Sequence, residues 1–190
     1  IILDPSLSPS QNAQKYYKKY QKAKTAEIEA KKQLEENEAV LEYLESTLVL
    51  VENAETESDL NAIRTELAEQ GYLKRIVLKK NKKLPNNSKP MHFVSSDGFD
   101  IYVGKNNTQN DYLTLKFANS NDIWFHTKNI HGSHVIIKFG LDKDAPETTL
   151  REAAELAAYY SKARESSQVP VDYTPVKNVK KPNGAKPGMV

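Results

Sequence analysis

The 190-residue chain is 38% hydrophobic and 27% charged, carries a formal net charge of +2, and contains no cysteine. This composition fits a soluble chain of one domain, or a small domain with an appendage. It excludes a disulfide scaffold and thiolate metal sites, and no run of 18 apolar residues is present to span a membrane. The charge is divided: residues 1–75 hold 10 basic against 14 acidic residues (net −4), whereas residues 76–190 hold 17 against 11 (net +6). Two different surfaces are expected. The start, Ile1-Ile2-Leu3, has neither an initiator Met nor a basic segment ahead of an apolar one, as in the interior of a longer protein.

Asp4-Pro5-Ser6-Leu7-Ser8-Pro9-Ser10 reads as a lead-in turn, with Ser10 or a neighbour as helix cap. From Gln11 to about Ala54 there is no Gly or Pro. Ala13, Tyr20, Glu27, Leu34, Leu41 and Leu48 form one heptad series, and Tyr16, Ala23, Ala30, Asn37, Leu44 and Val51 the other. That pattern predicts a coiled-coil arm whose seam Glu27 and Asn37 interrupt. Thr56 or Ser58 starts a second helix, with Leu60, Ile63 and Leu67 on its stripe and Gly71 as its stop. Arg75 to Lys89 reads as a solvated basic hinge.

His92–Ser95 and Phe99–Val103 around Ser96-Asp97-Gly98 read as a hairpin. A polar loop, Gly104 to Asn107, precedes a short helix capped by Asn110 or Asp111. Ile123 to Lys128 alternates, with Ile123, Phe125 and Thr127 on one face and Trp124, His126 and Lys128 on the other. A reversal at Asn129–Gly132, with Gly132 free to take positive φ, leads to a strand over Ser133–Phe139 and places His126 and His134 on neighbouring strands. Thr149-Leu-Arg-Glu152 reads as a capping box opening a helix to about Arg164. Its face of Leu150, Ala153, Ala154, Ala157, Tyr160 and Ala163 is small enough to lie close on a sheet. Val169–Tyr173 and Val176–Val179 read as late strands, ahead of the basic, turn-rich segment Lys180 to Gly188. The fold class is therefore α+β: a helical arm over 1–74 and a β-rich domain with one or two packed helices over 75–190.

His126, His131 and His134 have no Asp, Glu or Cys at ligand spacing, so no metal or cofactor is expected. Ser133, His134 and Asp122 do not form a catalytic triad, because strand neighbours point to opposite faces. Gly104-Lys105 lacks the upstream glycine of a phosphate loop. With no catalytic constellation, the chain reads as a binding protein and not an enzyme.

Nucleic-acid binding has a broader basis. The candidate residues are Lys79, Lys80, Lys82, Lys83, Lys105, Asn106, Asn107, Trp124, His126, Lys128, Lys177, Lys180, Lys181 and Lys186. Lysines attract phosphates, and Trp and His offer stacking surfaces or hydrogen bonds. Lysine clusters on solvated surfaces have the same composition.

A set of ordered motifs goes further. Asp97-Gly98-Phe99-Asp100-Ile101-Tyr102-Val103-Gly104-Lys105-Asn106-Asn107, Asn110-Asp111-Tyr112-Leu113-Thr114, Asp122-Ile123-Trp124-Phe125-His126, Gly132-Ser133-His134-Val135 and Val171-Asp172-Tyr173-Thr174 resemble the RNA-binding NFACT-R domain of the NFACT family. The lead-in Leu3 to Gln14 and Tyr16-Tyr17-Lys18-Lys19-Tyr20 resemble its coiled-coil and middle region. The resemblance implies a cytoplasmic ribosome quality control factor that binds the large ribosomal subunit and tRNA and supports alanine tailing of stalled nascent chains. Bacterial members of this family are also known as fibronectin- and fibrinogen-binding proteins, which implies an alternative: an adhesin fragment reaching the cell surface by non-conventional export. The family supplies no catalytic residues to carry over to this chain.

Overall fold

The structure, a computed structural model, describes residues 1–74, 88–139 and 145–190. The predicted hinge lies largely outside them. Two compact units are present, Ile1–Glu42 and Tyr43–Val190.

Helix α1 spans Pro9–Glu52. Pro9 takes the first helical position, where its missing N–H costs nothing. Ser8 is the cap: its hydroxyl accepts from Gln11 N at 3.3 Å while the Gln11 side chain accepts from Ser8 N at 2.8 Å. In the first unit the lead-in folds back on buried Asn12, whose side chain accepts from Asp4 N and donates to Asp4 O, both at 2.9 Å. The helix follows the absence of breakers, but the heptad seam is not buried. Tyr20, Leu34, Leu41, Leu44, Leu48 and Val51 are exposed. In the second unit, α1 instead buries Tyr43, Thr47, Val49 and Leu50. Apolar periodicity names a stripe that can pack, without showing which face its neighbours take.

Helix α2, Glu57–Glu69, is capped by Thr56, whose hydroxyl accepts from Asp59 N at 3.2 Å. It ends in a left-handed Gly71, with Tyr72 N on Leu67 O and Gly71 N on Ala68 O, a Schellman closure. Its buried face is Asp59, Ala62, Ile63 and Glu66, whereas Leu60 of the predicted stripe is exposed. Polar partners, described below, draw the two carboxylates inward.

Strands β1 (Met91–Val94), β2 (Asp100–Val103), β3 (Ile123–Thr127), β4 (Val135–Ile137) and β5 (Val171–Pro175) form one antiparallel sheet in the order β1-β2-β4-β3-β5. Gly98 supplies the positive φ of the β1–β2 turn, as expected. In the β3–β4 turn the positive φ belongs to Asn129. Gly132 is required for space: a Cβ there would stand 2.8 Å from Ser161 Cβ and 3.1 Å from Thr127 Oγ1.

Helix α4, Glu147–Tyr159, covers one sheet face. Ala153, Ala157 and Tyr160 pack with Ile101, Val103, Phe125, Val135 and Ile137 as the core, so the small-residue face seats the helix as predicted. Thr149 is not a capping residue. Its hydroxyl bonds Ser95 at 3.0 Å and Asp97 at 2.8 Å, and Glu152 takes Ser96 N at 2.9 Å, so both side chains hold the β1–β2 turn. After β5 the chain enters a 3-10 turn, Val176–Asn178, in place of the expected last strand. The helix expected from Asn110 begins earlier: α3 spans Asn107–Tyr112 with Asn106 as its cap, and a π-helical turn follows at Leu113–Phe117.

Candidate nucleic-acid interface

The sheet face opposite α4 carries a cross-strand row. Pairing aligns His92 with Tyr102, Tyr102 with Ile136, Ile136 with Trp124, and Trp124 with Thr174. His92 stacks on Tyr102 at 4.7 Å between ring centroids, and Phe117 of the π-turn meets Tyr102 edge-on at 4.8 Å. The extra residue of the π-turn brings Phe117 onto the sheet while leaving Lys116 exposed. Tyr112, 5.9 Å from Phe117, is exposed beside it.

One step along the strands, Trp124 and His126 stack at 5.7 Å, and His134 meets both rings edge-on, at 5.3 Å from Trp124 and 5.5 Å from His126. His126 and His134 therefore meet on one face. His134 is buried, with Nδ1 2.8 Å from Thr114 Oγ1. Burial, reinforced by His126, pushes its pKa down to about 3, and burial lowers that of His126 too. Both rings are therefore neutral near pH 7 and add no charge for phosphate. His131 lies elsewhere, its Nε2 3.0 Å from Glu45. Among the described residues no group of three His, Cys, Asp or Glu side chains could hold a metal ion. Trp124 Nε1 is buried and has no hydrogen-bond partner among the described residues.

The predicted basic residues separate into two groups. Lys128, at the end of β3, is 57% exposed and stands 3.7 Å from Asp172, itself 60% exposed. A pair this exposed contributes little. Lys177 and Lys180 are also exposed. Since Thr127 pairs with Val171 and Ile123 with Pro175, Lys128 lies at one end of the β3–β5 pair and Lys177 just past the other, with Trp124 and His126 between.

Lys105, Asn106, Asn107, Lys181 and Lys186 are engaged within the chain. Lys105 Nζ lies 3.1 Å from Asp59 Oδ2, where Asp59 is only 2% exposed. Burial pushes the Asp59 pKa up, but hydrogen bonds from Ser88, Thr56 and Lys105 and the Lys105 charge outweigh it and hold the carboxyl below its usual range. Asn106 caps α3 through Gln109 N at 2.8 Å. Asn107, fully buried, donates to Thr47 Oγ1 and accepts from the Ser46 hydroxyl, both at 3.1 Å. Lys181 bonds Asp111. Lys186 sits over the Tyr72 ring at 5.2 Å and the Tyr43 ring at 5.8 Å. Glu66 completes this clasp: it accepts from Tyr43 Oη at 2.9 Å, from Thr108 N at 2.8 Å and from Thr108 Oγ1 at 2.9 Å. Lys79, Lys80, Lys82 and Lys83 lie outside the described residues. Tyr112, Lys116 and Phe117 escape a reading of the sequence because no local pattern marks a π-turn, and Tyr102 because long-range strand pairing sets its row.

Two family profiles divide the chain: NFACT N-terminal and middle domains match residues 1–87, and the NFACT protein RNA binding domain matches residues 89–190. This chain belongs to the NFACT family. Over its whole length it is 46% identical to "Rqc2 homolog RqcH" of Bacillus subtilis and 47% identical to the protein of that name in Streptococcus suis. It spans 33% and 34% of those relatives, about a third of their length. The "Ribosome quality control complex subunit NEMF homolog" of Drosophila melanogaster is 27% identical over 91% of the chain and 15% of that protein. A solved structure of the C-terminal part of the fibronectin/fibrinogen-binding protein from Streptococcus suis is 45% identical and superposes with a TM-score of 0.86, covering 96% of this chain and 72% of that one. That structure and this one share the α+β architecture.

Proposed function

We propose that this chain is the arm and RNA-binding part of a ribosome quality control factor, which in the whole protein engages the large ribosomal subunit and tRNA and supports alanine tailing of stalled nascent chains in the cytoplasm. In this reading residues 1–74 act as the arm and residues 75–190 as the RNA-facing module, and the chain contributes binding without catalytic residues of its own. The match of residues 89–190 to the NFACT RNA binding domain carries the proposal. The exposed Lys128 and Lys177 at the two ends of the β3–β5 pair, with Trp124 and His126 between them, and the exposed Lys180 support it with the chemistry that phosphates and bases require.

The test is fluorescence anisotropy of labelled tRNA with this chain over a salt series. Affinity should fall steeply with salt, and reversing Lys128, Lys177 and Lys180 to Glu should weaken binding by about tenfold or more, since each lost phosphate contact flattens the salt slope by about 0.7 to 0.9. Salt-independent binding, or a triple variant with unchanged affinity, would remove this surface from the proposal.

A second reading rests on the Streptococcus suis structure, whose protein is named for fibronectin and fibrinogen binding. It makes this chain an adhesin fragment reaching the cell surface by non-conventional export, with an edge strand such as β5 available for strand addition. Immobilised fibronectin and fibrinogen decide it. Saturable, salt-resistant capture of this chain with no tRNA binding would favour the adhesin.

A further inference from the structure

A groove at the β5 edge lies apart from the face that carries Trp124 and His126. Arg151, Ala154, Glu155, Ala158 and Tyr159 follow one another on α4 at spacings of three and one, which places them in a single stripe. The opposite wall is Ser166, Ser167 and Val171, the last at the start of edge strand β5. The groove between them is open to solvent and has a volume of about 560 Å³.

Its chemistry is specific. The sequence has four arginines, and two of them, Arg151 and Arg164, stand on this groove. Guanidinium groups bind phosphate through paired N–H donors in a plane, which lysine ammonium groups cannot do. Arg151 is exposed and makes no ion pair among the described residues. Arg164 lies over the Tyr159 ring at 4.5 Å, with only a long bond to Asn53 at 3.4 Å and an exposed contact to Glu165 at 3.7 Å. Tyr159 is half exposed and offers ring surface to a base. Ala158 and Val171 give an apolar floor, and the serine hydroxyls and Glu155 offer hydrogen bonds to sugar or base edges. A peptide of Asp and Glu alone would use the arginines but leave the aromatic wall and apolar floor without a matching group.

We infer that this groove is a binding site for a single nucleotide of an RNA strand, its phosphate held by Arg151 and Arg164 and its base placed against Tyr159. The inference rests on the RNA-binding reading above and adds a second contact point, on the α4 side of the sheet.

The experiment is an amide-resolved NMR titration of the chain with adenosine 5′-monophosphate, with adenosine and inorganic phosphate as controls, alongside anisotropy with labelled single-stranded RNA. The expected result is that the mononucleotide shifts the amides of Ala154, Ala158, Tyr159 and Val171 more strongly than either control. Arg151→Ala with Arg164→Ala should weaken that binding about tenfold, and Arg→Lys at both positions should recover only part of it. The unperturbed spectrum of each variant away from the groove shows that it is folded. Shifts that fall elsewhere, or that survive the double alanine variant, would overturn the site. If RNA still binds the wild-type chain in that case, only the groove assignment fails; if RNA does not bind at all, the RNA-binding reading fails with it. Equal shifts from an acidic peptide containing a tyrosine, titrated as a third control, would also overturn it, in favour of a peptide site.

Discussion

The clasp around α3 and the rim around Trp124 use the same residue types for opposite purposes. In the clasp, Lys105, Lys181 and Lys186 are held against Asp59, Asp111 and two tyrosine rings, and Glu66 is buried on three donors. On the rim, Lys128, Lys177 and Lys180 stand in solvent. Lysine stabilises a fold where a carboxylate or aromatic ring of the chain holds it out of solvent, and is free to recruit phosphate where it stays exposed. The number of lysines in a sequence therefore overstates the surface that can bind.

The largest effect of breaking this division is expected in the clasp. Glu66→Ala leaves the Tyr43 hydroxyl and the Thr108 donors without their partner, and should cost about 3 kcal/mol, or roughly 10 °C in Tm. Thermal unfolding by circular dichroism measures it; a shift under 2 °C would show that the clasp does not hold the fold.

Next comes pH. The His134 pKa is depressed in the folded chain, so the unfolded chain takes up the proton first as pH falls below its ordinary value of 6.5. Stability is therefore fully present above pH 6.5 and is lost toward pH 3, at up to about 1.4 kcal/mol per pH unit. Replacing His134 with Gln should flatten the Tm–pH profile between pH 6.5 and 4. An equally steep profile would assign the loss to other groups.

A smaller change sharpens the rim. Trp124→Phe keeps a ring but removes the orphaned N–H. Tm should stay level or rise, while RNA affinity falls by about fivefold, since the smaller ring loses roughly 1 kcal/mol of base stacking. Unchanged affinity would mean that RNA does not reach this ring.

The local elements were readable because their signals are local. The helix of α1 follows from an uninterrupted run without Gly or Pro, the β1–β2 turn from Ser96-Asp97-Gly98, and the seat of α4 from Ala153 and Ala157. The neighbourhood of His126 and His134 followed from strand alternation. What escaped was long-range. Lys105 meets Asp59 across 46 residues and Lys181 meets Asp111 across 70, so nothing beside either lysine marks it as engaged. The buried Asp59–Glu66 face of α2 has the same origin: Lys105 and Thr108, more than 40 residues further along the chain, take the two carboxylates and outweigh the apolar stripe. The capping-box pattern at Thr149 misled because Ser95 and Asp97, more than 50 residues away, take its hydroxyl.

Lys180 and Lys181 are adjacent in sequence, and the structure separates them: the first is exposed, the second is bonded to Asp111. Measuring tRNA affinity and Tm for Lys180→Glu and Lys181→Glu side by side tests the division most directly. The account predicts that Lys180→Glu lowers affinity by about threefold and reduces the salt slope by about one contact, with Tm unchanged. Lys181→Glu should lower Tm by several degrees, by placing a carboxylate against Asp111, while the salt slope of the folded protein stays as in the wild type. If the two variants lose affinity and slope equally with no change in Tm, the separation into clasp and rim is wrong.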